Sequence, residues 1–438
     1  MNTLTTEKQF PTFPRQAIQG LAKKFVDLYS PIREVPEAFL WLSFVTYYGN
    51  AISPYVRLAA IGEPSEPRFY GVVLGQSGRT RKSSGNTAAR NLFKKVGQNW
   101  HSPQTFIEGI GSVEGVIVRL VTGGPAVLDL DELNLLAAKA DITGSVGLAA
   151  LHKLFEDHSY HHPLANGDRI VTNSYFSLLA ASTLEDFQKA WKEKASDAGF
   201  FSRLFLVAAD VPEQRIAIPR EPDPADVDAL VTSIRTCLQA LQEHPLLLRI
   251  EPDAEAVWCA FYDSFGDGPE WNRIDTYGFR LMSVLAALNN ETSVSKAVVQ
   301  TAVEILQYEV AVRAAVPPII ANNPVAEMQQ LILRWLKSRK RRLVRPVSKR
   351  DLMRGVHYER YGTEVFEKAL SGLAAIEEVR LVPKGNKSLY TYAEDDDSSP
   401  ESSPPRLGTH DELLRCVHST AYKQSPANCP QSPPASPQ

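Results

Sequence analysis

An apolar run from Tyr70 to Leu74 opens directly into Gly75, Gln76, Ser77, Gly78, Arg79, Thr80, Arg81, Lys82, Ser83 and Ser84. Glycines let the backbone turn its N–H groups toward an anion, a lysine adds a point charge, and a neighbouring hydroxyl suits a hard cation. These residue types in this order describe a loop that wraps phosphate, with Lys82 on the phosphates and Ser83 or Ser84 on Mg²⁺. The spacing is irregular. The common phosphate-loop pattern places glycines six and one residues before the lysine, positions held here by Gln76 and Arg81. The glycines stand seven and four before it instead. A Gly/Ser/Arg surface turn is the competing reading.

Downstream, PAVLDLDELNLL from Pro125 to Leu136 runs apolar residues into Asp131 and Glu132. A buried strand ending in adjacent carboxylates can set Asp131 on Mg²⁺ and aim Glu132 at a hydrolytic water. The same residues could open an amphipathic helix, where acidic side chains favour the N-terminal dipole. Glu114, in SVEGVI from Ser112 to Ile117, is a second candidate for activating water. The run SLLAAST from Ser177 ends in Ser182 and Thr183. Those hydroxyls can sense a terminal phosphate or cap the helix that follows.

Arg203 stands between aromatics in GFFSRLFLV from Gly199 to Val207. It suits an arginine finger reaching a γ-phosphate of its own or a neighbouring subunit, or else an ion pair at a strand start. Arg280 is a weaker candidate. His152, His158, His161 and His162 cluster, but no glutamate follows His158 as zinc hydrolases require, which disfavours a metal site. The dense basic run KSRKRR, with Lys337, Arg339, Lys340, Arg341 and Arg342, forms a patch able to bind a nucleic-acid backbone. A solvated charge run is its bland alternative.

The elements that must position these residues follow from periodicity. Strand-like apolar runs at Tyr70 to Leu74, Gly115 to Val121, Ala126 to Leu130, Ser174 to Ala181 and Phe205 to Ala209 alternate with helical stretches. That pattern predicts an α/β layer on a largely parallel sheet, with the phosphate loop at its carboxyl edge. Residues 1–68 read as a helical lead-in, 69–215 as the α/β core and 216–322 as an all-helical lid. Residues 323–393 read as three helices and a hairpin, which suits a winged helix or a generic α+β domain. Residues 394–438, rich in Ser, Pro and acid, cannot support a core.

The chain has 438 residues, 44% apolar and 22% charged, with a formal net charge of -3. That charge excludes a globally basic nucleic-acid coat, leaving only local patches. Cys237, Cys259, Cys416 and Cys429 show no Cys-x-x-Cys spacing, which argues against a zinc site or disulfide framework and fits a reducing compartment. No apolar leader precedes the first helix, and no run reaches the roughly 18 apolar residues of a membrane span. A soluble cytoplasmic protein with no membrane partner is expected.

With these pieces in order, the chain resembles a family of helicase-like P-loop ATPases found in phages, plasmids and bacterial mobile elements, often associated with replication or primase. The resemblance runs from about Ala17 to Tyr392. It is carried by FVTYYGNAI at Phe44 to Ile52, the loop from Gly75 to Ser84, SVEG at Ser112 to Gly115 and LDLDEL at Leu128 to Leu133. ASTLEDF from Ala181 and GFFSRLFLV from Gly199 complete it. The family's loop also departs from the standard spacing and often has Gly-Thr after the lysine, where this chain has Ser83 and Ser84. It often has a glycine at Val113. The resemblance implies a RecA-like core binding ATP and Mg²⁺. It further implies a homo-oligomeric ring, with a hexamer as one size, acting on DNA, single-stranded more than duplex, beside a replication initiator or primase. Unwinding is the simplest activity. A regulator or defence component that uses ATP as a conformational switch, without turnover, is the alternative.

Overall fold

The protein is described by a computed structural model. It covers residues 10–59, 65–76, 78, 80–98, 104–140, 147–162, 168–190, 199–210, 212, 214–316, 324–340, 346–375, 378–384 and 387–392.

Five parallel strands form the central sheet: β2 (Tyr70–Gly75), β3 (Thr105–Glu108), β4 (Gly124–Leu130), β7 (Ser174–Ser182) and β8 (Phe205–Ala209). Their spatial order is β3-β4-β7-β2-β8. Strand β7 therefore lies between the loop-bearing β2 and the carboxylate-bearing β4, with Leu74 beside Ser182 and Leu130 beside Ala180. Every residue of β2 is buried. That is expected of a parallel strand covered on both faces, and it is why these strands are near-continuous apolar runs.

One face is covered by α2 (Glu37–Ile52) and α3 (Lys82–Gly97). All 16 residues of α2 are buried, and it packs across β4, β7, β2 and β8. The expected lead-in is thus the helix at the centre of the sheet; a helix apolar on every side has no solvent face to offer. Helix α1 (Gly20–Tyr29) backs it. On the other face lie α5 (Leu133–Ala140), α6 (Gly147–Glu156) and α7 (Leu184–Ala190).

The segment expected as a strand at Gly115 to Val121 is helix α4 (Val113–Leu120). Its β-branched residues suggested a strand, but the buried set Val113, Val116, Ile117 and Leu120 repeats at helical spacing. The Ser112 hydroxyl caps it, accepting from the Gly115 N–H at 3.1 Å.

Two short pairs flank the core: β1 (Val56–Leu58) with β9 (Leu246–Leu248), and the antiparallel β5 (Tyr160–His162) with β6 (Arg169–Val171). Beyond β8 come α8 (Pro224–Glu243), α9 (Pro252–Tyr262), α10 (Ile274–Leu288) and α11 (Lys296–Ala315). They do not form the expected lid. Helix α8 packs on α1 and α3, and α11 covers the free edge of β8. There the Glu309 carboxylate accepts from the Leu206 N–H at 2.9 Å, and the Tyr308 hydroxyl accepts from the Ala208 N–H and donates to its carbonyl, both at 2.9 Å. Side chains thus complete the ladder of an edge strand. A single apolar core runs from Phe10 to Val316, so the boundaries expected near 68 and 215 do not divide it.

A second core, from Met328 to Val379, belongs to the C-terminal region. It contains α12 (Pro324–Lys340), β10 (Val347–Ser348), α13 (Lys349–Gly355), α14 (Thr363–Ala375), β11 (Val379–Lys384) and β12 (Lys387–Tyr392). Its antiparallel sheet has the order β10-β12-β11. The tail from 394 lies outside the described residues. Among the described residues no helix is long and apolar enough to cross a membrane.

Candidate functional site

Strand β2 stops at Gly75, whose close neighbour is the Thr80 side chain; a Cβ on Gly75 would overlap Thr80 Oγ1. Thr80 is buried and its hydroxyl donates to the Gln76 carbonyl at 3.0 Å, closing the loop upon itself. Gly78 at φ 71° and Arg81 at φ 46° both take the left-handed conformation. Glycine does so freely, whereas for arginine it is strained. That turn at Arg81 starts α3 at Lys82, and no side chain caps the helix. Among the described residues the Lys82 and Ser83 N–H groups at the start of this 16-residue helix meet no side-chain cap, while the Ser84 N–H donates to the Arg81 carbonyl at 2.9 Å; the positive end of the helix dipole lies behind them. Ser77 and Arg79 lie outside the described residues.

Lys82 folds back over the loop, its Nζ donating to the Gly75 carbonyl at 2.9 Å and the Gln76 carbonyl at 3.4 Å. Burial lowers its pKa, and the neighbouring Asp186 carboxylate acts in the opposite sense. Arg81 lies 3.7 Å from Glu34.

The loop and α3 form one wall of a cleft of about 290 Å³ at the carboxyl ends of β2, β7 and β4. Gly78, Arg81, Lys82, Ser83 and Ser84 line that side. Facing them are Asp131, Glu132 and Asn134 after β4, and Ser182, Thr183 and Asp186 after β7. Asp131 and Glu132 are exposed. The buried Asn134 Oδ1 has no hydrogen-bond partner among the described residues. The sheet order thus brings together the two segments that sequence spacing had paired. One wall carries Arg81 and Lys82, and the other carries carboxylate, amide and hydroxyl oxygens; among the described residues no group of three or more His, Cys, Asp or Glu side chains is placed to hold a metal ion by itself.

The hydroxyls at the end of β7 divide their roles. Ser182 is buried at the cleft. Thr183 caps α7: its Oγ1 accepts from the Asp186 N–H at 3.0 Å and donates to Asp186 Oδ2 at 2.6 Å. Its hydroxyl proton is directed at the Asp186 carboxylate, and Thr183 lines the cleft beside Ser182.

Of the predicted loop residues, Gly75, Gln76 and Thr80 lie behind the cleft lining, and two predicted catalytic residues, Glu114 and Arg203, are not brought to the cleft. Glu114 sits in the first turn of α4, where its charge acts on Tyr160. Arg203 precedes β8, at the amino ends of the strands, so a five-residue strand of roughly 16 Å separates it from the level of the cleft. It pairs with Glu156 at 3.1 Å and donates to the Gly199 carbonyl at 2.8 Å, with its guanidinium beside the Phe155 ring. The reach to its own subunit's γ-phosphate is therefore excluded, and the ion-pair alternative is what the geometry shows. Arg280 is buried in the same pole, donating to the Arg68 and Phe155 carbonyls.

His158 pairs with Glu66 at 2.9 Å, His161 with Asp168 at 2.7 Å, and His152 stacks on Phe200. In the basic run, Lys337 is exposed near the end of α12. The side chains of Arg339 and Lys340, and all of Arg341 and Arg342, lie outside the described residues.

Sequence reasoning missed Asp129 and Arg90. Asp129 is almost fully buried beneath the cleft, two residues before Asp131. It accepts from the Tyr47 hydroxyl at 2.7 Å and from Arg90 Nη1 at 3.0 Å. Burial raises its pKa against the pull of both partners. Arg90 also lies 3.5 Å from Glu108 of β3, which Lys94 joins. Lys82, Asn86, Arg90 and Lys94 repeat every fourth residue, one stripe of α3. That spacing is the signal that could have found Arg90. Asp186 was likewise visible in ASTLEDF without being assigned. No family model matches this chain, and no curated protein matches it significantly.

Proposed function

We propose that the protein is a Mg²⁺-dependent ATPase with a RecA-like core. The observation that carries this reading is one cleft at the carboxyl ends of three parallel strands. In it the uncapped start of α3, with Lys82, faces Asp131 and Glu132. Open α/β sheets bind ligands at that edge, and the intervening β7 adds Ser182. The α3 amides and Lys82 bind the β- and γ-phosphates. The donor set of carboxylates and hydroxyls, with the orphaned Asn134 Oδ1, fits Mg²⁺, which Asp131 and Ser83 or Ser84 would hold. When bound, that ion neutralises phosphate charge. Glu132 orients water for attack, because it lies in the cleft and Glu114 does not.

Action on DNA as a motor in replication of a mobile element, as a homo-oligomeric ring, rests on the resemblance. It is also supported by the C-terminal arrangement of three helices with an antiparallel sheet, which suits a winged helix. Hydrolysis measured without nucleic acid, with single-stranded DNA and with duplex DNA tests it. Stimulation of at least about tenfold by single strands is expected of a motor. Tight ATP binding with no turnover under any of the three conditions would replace the motor with a nucleotide switch.

A further inference from the structure

Within the cleft, Arg81 and Lys82 stand against three carboxylates: Asp131, Glu132 and Asp186. Arg81 also has Glu34 close by. Asp131 and Glu132 have their roles in the reading above. Asp186 has none there, yet it lines the same cleft as Lys82 and is held in place by Thr183.

We propose that Asp186 is a counter-ion to Lys82 that makes polyphosphate binding at this cleft depend on a divalent cation. The inference rests on the nucleotide reading of the same site and adds a specificity-determining residue to it. Asp186 and Lys82 line the same cleft, and one oxygen of Asp186 accepts the Thr183 hydroxyl proton at 2.6 Å. A bare triphosphate arriving at Lys82 meets that carboxylate as a like charge in a half-buried site, where Coulomb terms exceed those in bulk water. A metal–triphosphate carries less negative charge, and the metal faces the oxygen-rich wall to which Asp186 belongs. Asp186 therefore penalises the metal-free ligand far more than the metal complex. Its position is fixed by Thr183, which bonds both its backbone N–H and its side chain.

The test is calorimetric titration of the full chain with ATP, once with Mg²⁺ and once with EDTA, for the wild type, Asp186→Asn and Asp186→Glu. Asp186→Asn is expected to lower the ratio of the two dissociation constants about tenfold, chiefly by tightening metal-free binding. Asp186→Glu keeps the charge and is expected to keep the ratio. Asp186→Ser, which also removes the charge, takes the place of Asp186→Asn if that variant fails to fold. An unchanged ratio in the neutral variants overturns the proposal. A wild type that binds no ATP even with Mg²⁺ overturns the nucleotide reading itself and this proposal with it, a failure distinct from a ratio that does not move.

Discussion

Lys82 Nζ lies 2.9 Å from the carbonyl oxygen of Gly75, seven residues earlier, so the lysine closes over the loop it is expected to share with phosphate. Thr80 closes the same loop from beneath through its bond to Gln76.

Gly75→Ala tests that closure. The added methyl would overlap the Thr80 side chain, and overpacking of this kind costs about 1–3 kcal/mol. Because the clash falls within the loop, calorimetry should show ATP affinity reduced about tenfold or more, with the thermal midpoint lowered by only a few degrees. Unaltered affinity would mean that the loop does not shape the ligand site.

Arg90 tests the polar contact beneath the cleft. Arg90→Met leaves the buried Asp129 carboxylate with Tyr47 as its close partner. Removing one member of a buried pair costs about 3–5 kcal/mol. Urea denaturation should show most of that loss, and the double variant Arg90→Met with Asp129→Asn should recover part of it. A single variant within about 0.5 kcal/mol of wild type would show the pair to be unimportant.

His152 gives a pH dependence. Burial and the flanking Arg203 and Arg273 push it down to about 4. The folded protein therefore keeps the ring neutral, while the unfolded chain protonates it at its ordinary value near 6.5. The stability this contributes is complete above about pH 6.5 and is lost as pH falls toward 4. His152→Phe, which can still stack on Phe200, should remove a loss of up to about 2 kcal/mol over that window. Parallel pH–stability curves for the two proteins would contradict this account.

Much of the sheet was legible in the sequence because β2 is buried throughout and β4, β7 and β8 at all but one residue each, and such burial leaves near-continuous apolar runs. The edge strand Thr105–Glu108 left no such trace, being short and half-exposed. Val118, and Val121 just past the helix end, drew a strand over what is α4, yet they are 50% and 42% exposed, and the true signal lay in the spacing of the buried residues. The loop and Asp131 were readable as local patterns. Arg203 was not placed, because chain order does not say at which end of a strand an arginine sits until the strand direction is known. Asp129 and Arg90 belong to different elements, and their pairing needed the packing of α3 on the sheet, where Arg90 reaches β4.

The central claim is that the cleft between the start of α3 and Asp131 binds a metal–triphosphate through Lys82. Calorimetric titration of the wild type and Lys82→Ala with ATP and Mg²⁺ tests it most directly. The account predicts one saturable site per chain in the wild type and at least a hundredfold weaker binding in the variant, a loss of about 3 kcal/mol. Equal affinity in two folded proteins would contradict it.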